Sequence, residues 1–486
     1  MGKQESQVLR KLPSVDVLLK VPELQRYLEQ VGREVVVSSI REAVDEIRNL
    51  LLESSSLIVH GSSMNKEQGT MNIIDEDTIR QKIVASAELR IKAIVRPYYR
   101  KVINATGIIL HTGLGRAVLP AQALRQIQNE LSGYSLLQVD IETGKRSKRD
   151  ECIERLLRQL TGAETAAVVN NNAAATAIVL NTVGKGREVI VSRGQLVEIG
   201  GSFRLPEVMA FSGAKLVEVG TTNKTHPHDY VNAVTENTAA ILRVHPSNYR
   251  IQGFTSEVPL EELVEIAHEH GLIMIDDVGA GALIDFSQFG FEPEPTLPES
   301  IRKGADIVTC SADKLIGASQ AGIILGRAKL IDAIRKNQFA RIVRAGKLTL
   351  AALEATLKLF LDESIALREV PTLQMLRRSL SEVTNQAERI ASQLRQRISK
   401  AAVTTAPGFS QMGSGSLPTQ ELATMLVALQ PKKISAEQLA SRLRHYSTPI
   451  FARIQNDQVL IDPRTLRQGD EEVLVEALVE ALGRSD

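Results

Sequence analysis

Aromatic residues are only 3% of the 486-residue chain and tryptophan is absent, which argues against a broad base-stacking platform for nucleic acid. Cysteine is almost missing. Cys152 and Cys310 lie far apart, match neither metal-ligand nor redox spacing, and fit a reducing cytoplasm. No apolar run is long enough to span a bilayer, and the polar N-terminus lacks a signal-peptide core. Met1–Ser6 matches the myristoylation pattern, but that pattern is short and frequent, and nothing else points to a membrane. Neither sign of charge dominates. The formal net charge of +1 leaves a polyanion partner open, since a binder need only concentrate its charge on one face.

What is present is ample apolar material, 43% of the residues, over a length that implies more than one domain. Ser14 is a helix cap ahead of an apolar repeat, Pro22 restarts a helix, and Ile40, Val44, Ile47, Leu50 and Leu51 keep helical spacing on one face. This predicts a helical domain over 1–75, with a Ser-rich linker or exposed loop near 53–69. From 78 to 95 a helical pattern returns, leading into a large domain over 76–345. Short apolar runs then alternate with amphipathic segments, the texture of a largely parallel sheet covered by helices. The rest, 346–486, reads as a smaller α+β domain, helical over 374–400 and with Gly408, Gly413 and Gly415 in loops.

In such sheets ligands gather at the carboxyl ends of strands, and three of those ends carry chemistry. Asn171, Asn172 and Ala173 follow a strand and open a helix, where a capping asparagine and small residues let a phosphate approach free amides; an ordinary capped helix is the alternative. Asp276 and Asp277 end another strand. A carboxylate there can pair with a pyridinium nitrogen, or be a solvated turn; a magnesium site lacks further acidic ligands nearby, and no metal is expected. Lys314 follows Ile307–Thr309 and precedes a second apolar strand, a position that suits an amine held against an aldehyde cofactor, or a lysine in a surface turn. The order phosphate cradle, acid, lysine is that of an aminotransferase-like pyridoxal phosphate enzyme. Arg116, in a glycine-rich loop, and Arg149, ending a basic run, are candidate anion ligands or solvated charges.

Several stretches together resemble the bacterial selenocysteine synthase (L-seryl-tRNA(Sec) selenium transferase) family. They are Ile103–Gly107, Gly144–Arg146, Thr161–Glu164, Val168–Ala175, Val191–Gly194, Glu198–Arg204, Val219–Asn223, Ser247–Ile251, Asp313–Leu315 and Lys347–Thr356. The resemblance runs from Leu9–Ser14 to Ile461–Thr465, nearly the full length. It implies an aminotransferase-like, fold type I domain with pyridoxal 5'-phosphate on Lys314, Asp277 facing its ring nitrogen and Asp313 beside the reacting serine. It also implies arginines around the substrate anion at Arg116, Arg149, Arg341 and Arg344, and polar active-site residues at Thr221, Thr222 and Asn248. The implied reaction turns seryl-tRNA(Sec) into selenocysteinyl-tRNA(Sec) with selenophosphate, through a cofactor aldimine and a dehydroalanyl-tRNA. The N-terminal domain would bind tRNA, in a cytoplasmic homo-oligomer built as a ring of dimers with shared active sites. The chain departs from the family pattern at Gly113 (usually Asn), Asp150 (Tyr), Ala312 (Gly), Ala318–Ser319 (Gly-Pro) and Gly346 (Asp).

Two other readings stay open on residues alone. One is a related pyridoxal phosphate lyase eliminating from a small amino acid or amino sugar, for which an N-terminal helical domain is superfluous. The other is a non-catalytic tRNA-binding homologue, which would have no use for Lys314, Asp277 and the four arginines.

Overall fold

The computed structural model describes residues 12–59, 75–413 and 416–483, in two units, Met1–Lys101 and Val102–Asp486. In the first unit the Ser14 hydroxyl caps the helix Val15–Leu18, and Pro22 opens the next. The helix Leu28–Val59 kinks at Gly32, whose φ of 77° is left-handed. Glu76–Val95 starts from the Asp75 carboxylate, which accepts from the Thr78 amide at 2.6 Å. Ile79, Ile83, Ala87 and Ile91 recur every four residues, so they form one stripe. That stripe is buried with Val36, Ile40, Val44 and Ile47.

This packing moves the expected boundary at 75/76. The helix Glu76–Val95 belongs to the N-terminal unit, because its apolar face is covered there. The linker expected near 53–69 is helical as far as Val59; 60–74 lie outside the described residues. Leu50 is exposed rather than on the buried face.

The second unit holds two large sheets and a two-stranded ribbon, Glu198–Ile199 with Phe203–Arg204. The strands of the large sheets are β1 (Ile103–Ala105), β2 (Thr165–Val169), β3 (Glu188–Ser192), β4 (Lys215–Val219), β5 (Thr238–Val244), β6 (Ile273–Gly279), β7 (Ile307–Ser311), β8 (Gly322–Gly326), β9 (Ala401–Gly413), β10 (Ser416–Pro431), β11 (Ile450–Gln455) and β12 (Gln458–Ile461). The main sheet runs β2-β8-β7-β6-β5-β3-β4, parallel except for β8, which is antiparallel to both neighbours. Alternate residues serve opposite faces, as strand geometry requires. Ile307 packs under the helices Asn172–Val183 and Ala328–Lys336, while Val308 and Cys310 pack under Glu151–Thr161 and Lys347–Leu359.

The smaller sheet runs β1-β11-β12-β10-β9, backed by the helices Leu380–Arg397, Ala436–Arg444 and Asp470–Leu482. Both ends of the large domain therefore differ from expectation. Strand β1 crosses into the small sheet, and Lys347–Leu359 buries Leu350, Leu353 and Leu357 in the main core. The helix expected over 374–400 breaks at Arg378–Ser379. Gly408 and Gly413 lie in β9 rather than in loops; Gly415 lies outside the described residues.

The two parts of this unit are tied by Asp462 and Arg464. The Asp462 carboxylate accepts from Ser410 Oγ (2.8 Å), Thr424 Oγ1 (2.9 Å), Arg453 Nη2 (3.2 Å) and the Arg464 amide (3.0 Å). The Arg464 guanidinium, on a residue 2% exposed, donates to the carbonyls of Met375, Arg378 and Ala423. Removing one partner of a buried charge network strands the others. Asp462→Ala should therefore cost about 3–5 kcal/mol, seen as a lower urea midpoint at unchanged m-value; a wild-type midpoint would show the network to be dispensable.

Candidate active site

Pairing between β6 and β7 sets Asp277 opposite Thr309, so the acid and the chain leading to Lys314 leave the sheet side by side. Lys314 is 5% exposed, in a turn closed by the Gly317 amide on the Lys314 carbonyl at 3.0 Å. Gly317 is required there: its φ is +72°, and a Cβ would stand 2.6 Å from Val370 Cγ1. Burial, and then the Arg116 guanidinium, hold the Lys314 amine below the usual lysine range, against the opposing pull of Asp313 and Asp277. An amine so placed is the nucleophile and base that a carbonyl cofactor needs.

Asp313 is a fixed anion. Its Oδ2 accepts from Arg116 Nη1 at 3.0 Å and its Oδ1 from Ser311 Oγ at 2.7 Å. Arg116 itself has a left-handed φ of 61°. Its amide bonds the His111 carbonyl at 3.0 Å, which closes the glycine-rich turn that aims the side chain.

Asp277, 4% exposed, accepts from Asn172 Nδ2 (2.9 Å), Thr176 Oγ1 (2.8 Å) and the Gly279 amide (3.1 Å). These donors are all neutral, and burial pushes the carboxyl up, so the group is poised to share a proton with a cationic partner. Thr176 did not stand out in the sequence; the signal was its place four residues after Asn172, on the same helix face. Asn171 caps that helix, accepting from the Ala174 amide at 2.8 Å. Ala173 is exposed in its first turn. Asn172 Oδ1 is buried without a partner among the described residues.

Positive charge collects beside this cradle. Asn170 donates its amide to the Val343 carbonyl at 2.8 Å, and Val169 bridges to Arg344, so Arg344 is carried to the end of β2. Arg149 donates to the Ala345 carbonyl (3.1 Å) and to Gln138 Oε1 (3.0 Å). Burial, then Arg344 and Arg146, hold the Arg149 guanidinium below its ordinary value. Arg341 lies exposed on the short helix Phe339–Ile342 that leads to Arg344.

By strand order Thr221 and Thr222 lie far from Lys314, and Asn248 lies nearer. Thr221 and Thr222 follow β4, four strand spacings from β7, roughly 19 Å, and Thr221 Oγ1 is engaged by the Lys224 carbonyl of its own turn. Asn248 follows β5, two spacings away, and donates to the Glu198 carbonyl. The substituted positions do have local roles. Asp150 accepts from the Val168 amide, Ser319 donates to the Thr349 carbonyl, and Gly346 begins the helix Lys347–Leu359 without a side-chain cap.

A buried lysine and a buried acid at neighbouring strand ends, with a capped helix start beside them, fit an aldehyde cofactor carrying a phosphate and a ring nitrogen. Together with the single antiparallel strand of the main sheet, they define an aminotransferase-like, fold type I enzyme. The solved D-glucosaminate-6-phosphate ammonia-lyase shares this fold, with a TM-score of 0.55 at 22% identity, over 79% of this chain and 96% of that one. A family model described as L-seryl-tRNA selenium transferase matches residues 102–467, and one described as selenocysteine synthase N terminal matches residues 9–48. The chain is 46% identical to the L-seryl-tRNA(Sec) selenium transferase of Alkaliphilus metalliredigens (strain QYMF), over 98% of both chains. It is 43% identical to that of Clostridium botulinum (strain Okra / Type B1), over 97% of this chain and 98% of the other. The chain belongs to the L-seryl-tRNA selenium transferase family.

The Arg116–Asp313–Lys314 contact predicts a titration. Replacing Arg116 with Met removes a charge that depresses the Lys314 amine and frees an anion that favours its ammonium, so both effects raise its pKa. In protein without added cofactor, reductive methylation of Lys314 followed by peptide mass should shift to higher pH in Arg116→Met. An unchanged profile would mean that the Arg116 charge is not felt at the amine.

Proposed function

We propose that the chain converts L-seryl-tRNA(Sec) to L-selenocysteinyl-tRNA(Sec) with selenophosphate as selenium donor and pyridoxal 5'-phosphate as cofactor. The observation that carries this reading is the buried Lys314 between Asp277 and the Arg116–Asp313 pair, in a chain of this family. Lys314 and Asp277 would hold the cofactor at its aldehyde and ring nitrogen, and the helix start at Asn171, Asn172 and Ala173 its phosphate. Bound there, the cofactor supplies an electron sink for loss of the seryl α-proton.

Lys314, with its amine biased toward the neutral form, takes that proton. Asp313, anchored through both oxygens, faces the serine with fixed negative charge, and Arg116 sets its position. The β-hydroxyl departs as water. The selenium of selenophosphate then adds to the β-carbon while a proton returns to the α-carbon, and hydrolysis of the selenium–phosphorus bond releases phosphate and leaves the selenol. Arg149, Arg341 and Arg344 clamp the donor's phosphate, for which planar guanidinium groups are suited. An anion also relieves the repulsion between Arg149 and Arg344.

Thr221, Thr222 and Asn248 enter this reading as residues offered to a neighbouring subunit's site. Tyr134, Leu136 and Ile141 are exposed around a 710 Å³ cavity that Arg149 also lines, apolar surface consistent with a homo-oligomer. The N-terminal helical unit is assigned to tRNA binding. No helix among the described residues is long and apolar enough to cross a membrane, which agrees with a cytoplasmic role.

Purified protein given pyridoxal phosphate, seryl-tRNA(Sec) and selenophosphate should form selenocysteinyl-tRNA(Sec), and borohydride should fix the cofactor on the Lys314 peptide. Lys314→Ala should abolish the fixation and lower turnover by about 10²–10⁴-fold. Turnover of free serine but not of the charged tRNA would replace this reading with a small-substrate lyase. A wild type that takes up no cofactor would remove both.

A further inference from the structure

The helix Glu76–Val95 ends ahead of Pro97, and residues 96–101 close the N-terminal unit. Every residue from Lys92 to Lys101 is exposed. Among them Tyr98 and Tyr99 are 87% and 94% exposed, two of only seven tyrosines in the chain. Their rings meet edge to face, with centroids 5.3 Å apart, so they brace one another and leave their outer faces open. Arg96, Arg100 and Lys101 flank them. No Asp or Glu occurs anywhere from Leu89 to Asn129. The same acid-free stretch contains Arg116, which meets Asp313 beside Lys314.

Adjacent open aromatic faces between guanidinium groups have the chemistry of a short track for unpaired nucleotides. Any base can stack on such a ring, and the cations follow the phosphates. A paired RNA helix hides its base faces and is read through its shape and 2′-hydroxyls, which leaves two exposed rings unused. We propose that Arg96–Lys101 binds the unpaired 3′ end of the charged tRNA, the part that carries the serine. The proposal rests on the substrate reading above and adds a surface to it.

The test uses the full chain and two RNAs, seryl-tRNA(Sec) and the same tRNA lacking its unpaired 3′ nucleotides. The double variant Tyr98→Ala/Tyr99→Ala should bind the intact charged tRNA about tenfold or more weakly and the shortened tRNA as wild type does. Tyr98→Phe/Tyr99→Phe, which keeps the rings, should retain full affinity. Arg96→Gln/Arg100→Gln should reduce the slope of log affinity against log salt by about 1.4. Cofactor fixation on Lys314 should be unchanged in all of them, which reports an intact fold. Equal loss on both RNAs, or no loss on either, would overturn the proposal. So would a smaller assembly in sedimentation for the alanine variant, since the rings would then be covered by a second copy of the chain. If wild type binds neither RNA, the substrate reading fails with it. If wild type binds and converts the charged tRNA while the alanine variant binds it equally well, only this proposal falls.

Discussion

One basic amine in a nearly dry strand end is the constraint around which the large unit is arranged. An ammonium ion at that depth is disfavoured unless countered. The fold meets this by depressing the amine and by fixing the neighbouring charges. Asp313 is committed to Arg116 and Ser311, and Asp277 rests on neutral donors. Strand register is what makes this possible. Because side chains alternate faces, a one-residue slip of β6 would turn Asp277 away from Asn172 and Thr176 and bring up Asp276, which instead pairs with Arg243 on the other face. A continuous core on both sides of the sheet forbids that slip.

The arginines add a second tension. Arg344 stands close enough to Arg149 to disfavour its charge, and the segment after Phe339–Ile342 is bridged to β2 so that the two remain together. Maintained repulsion of this kind has a cost in the free chain that a bound anion removes. Under the proposed function that anion would be the donor's phosphate.

The main-sheet strands were legible because each is a short run of β-branched and small apolar residues between turn signals, and the three chemical strand ends were visible for the same reason. The β9–β10 hairpin was not. Pro407, Gly408 and a mixture of Ser, Thr and Gln imitate loop composition, although Gly408 lies in the strand, where a Cβ would come within 2.5 Å of Leu426 Cδ1. The allegiance of Glu76–Val95 was hidden too, because periodicity reveals an apolar face but not what covers it. In the site, Lys314, Asp277 and the Asn171 cap follow from local pattern, whereas Thr176 and Ser311 are recognisable only once a tertiary partner is known. Thr221, Thr222 and Asn248 rest on family resemblance alone.

The small sheet belongs to the active site through the backbone. Gly107 passes so near Asp462 that a Cβ would lie 1.9 Å from its Oδ2, and its φ of +73° is left-handed. Beyond it, the Gln411 amide donates to the Gly107 carbonyl, Ile109 to the Gln411 carbonyl and Leu110 to that of Met412. These bonds lock 107–110 against β9, and the next residue, His111, opens the turn that ends at Arg116. The route from the buried Asp462–Arg464 network to the guanidinium on Asp313 is thus a short, fully bonded piece of chain. Displacement of the small sheet would therefore reach Arg116 first and, through Asp313, the charge environment of Lys314. The small domain sets the position of one arginine, and that arginine helps to set the state of the lysine.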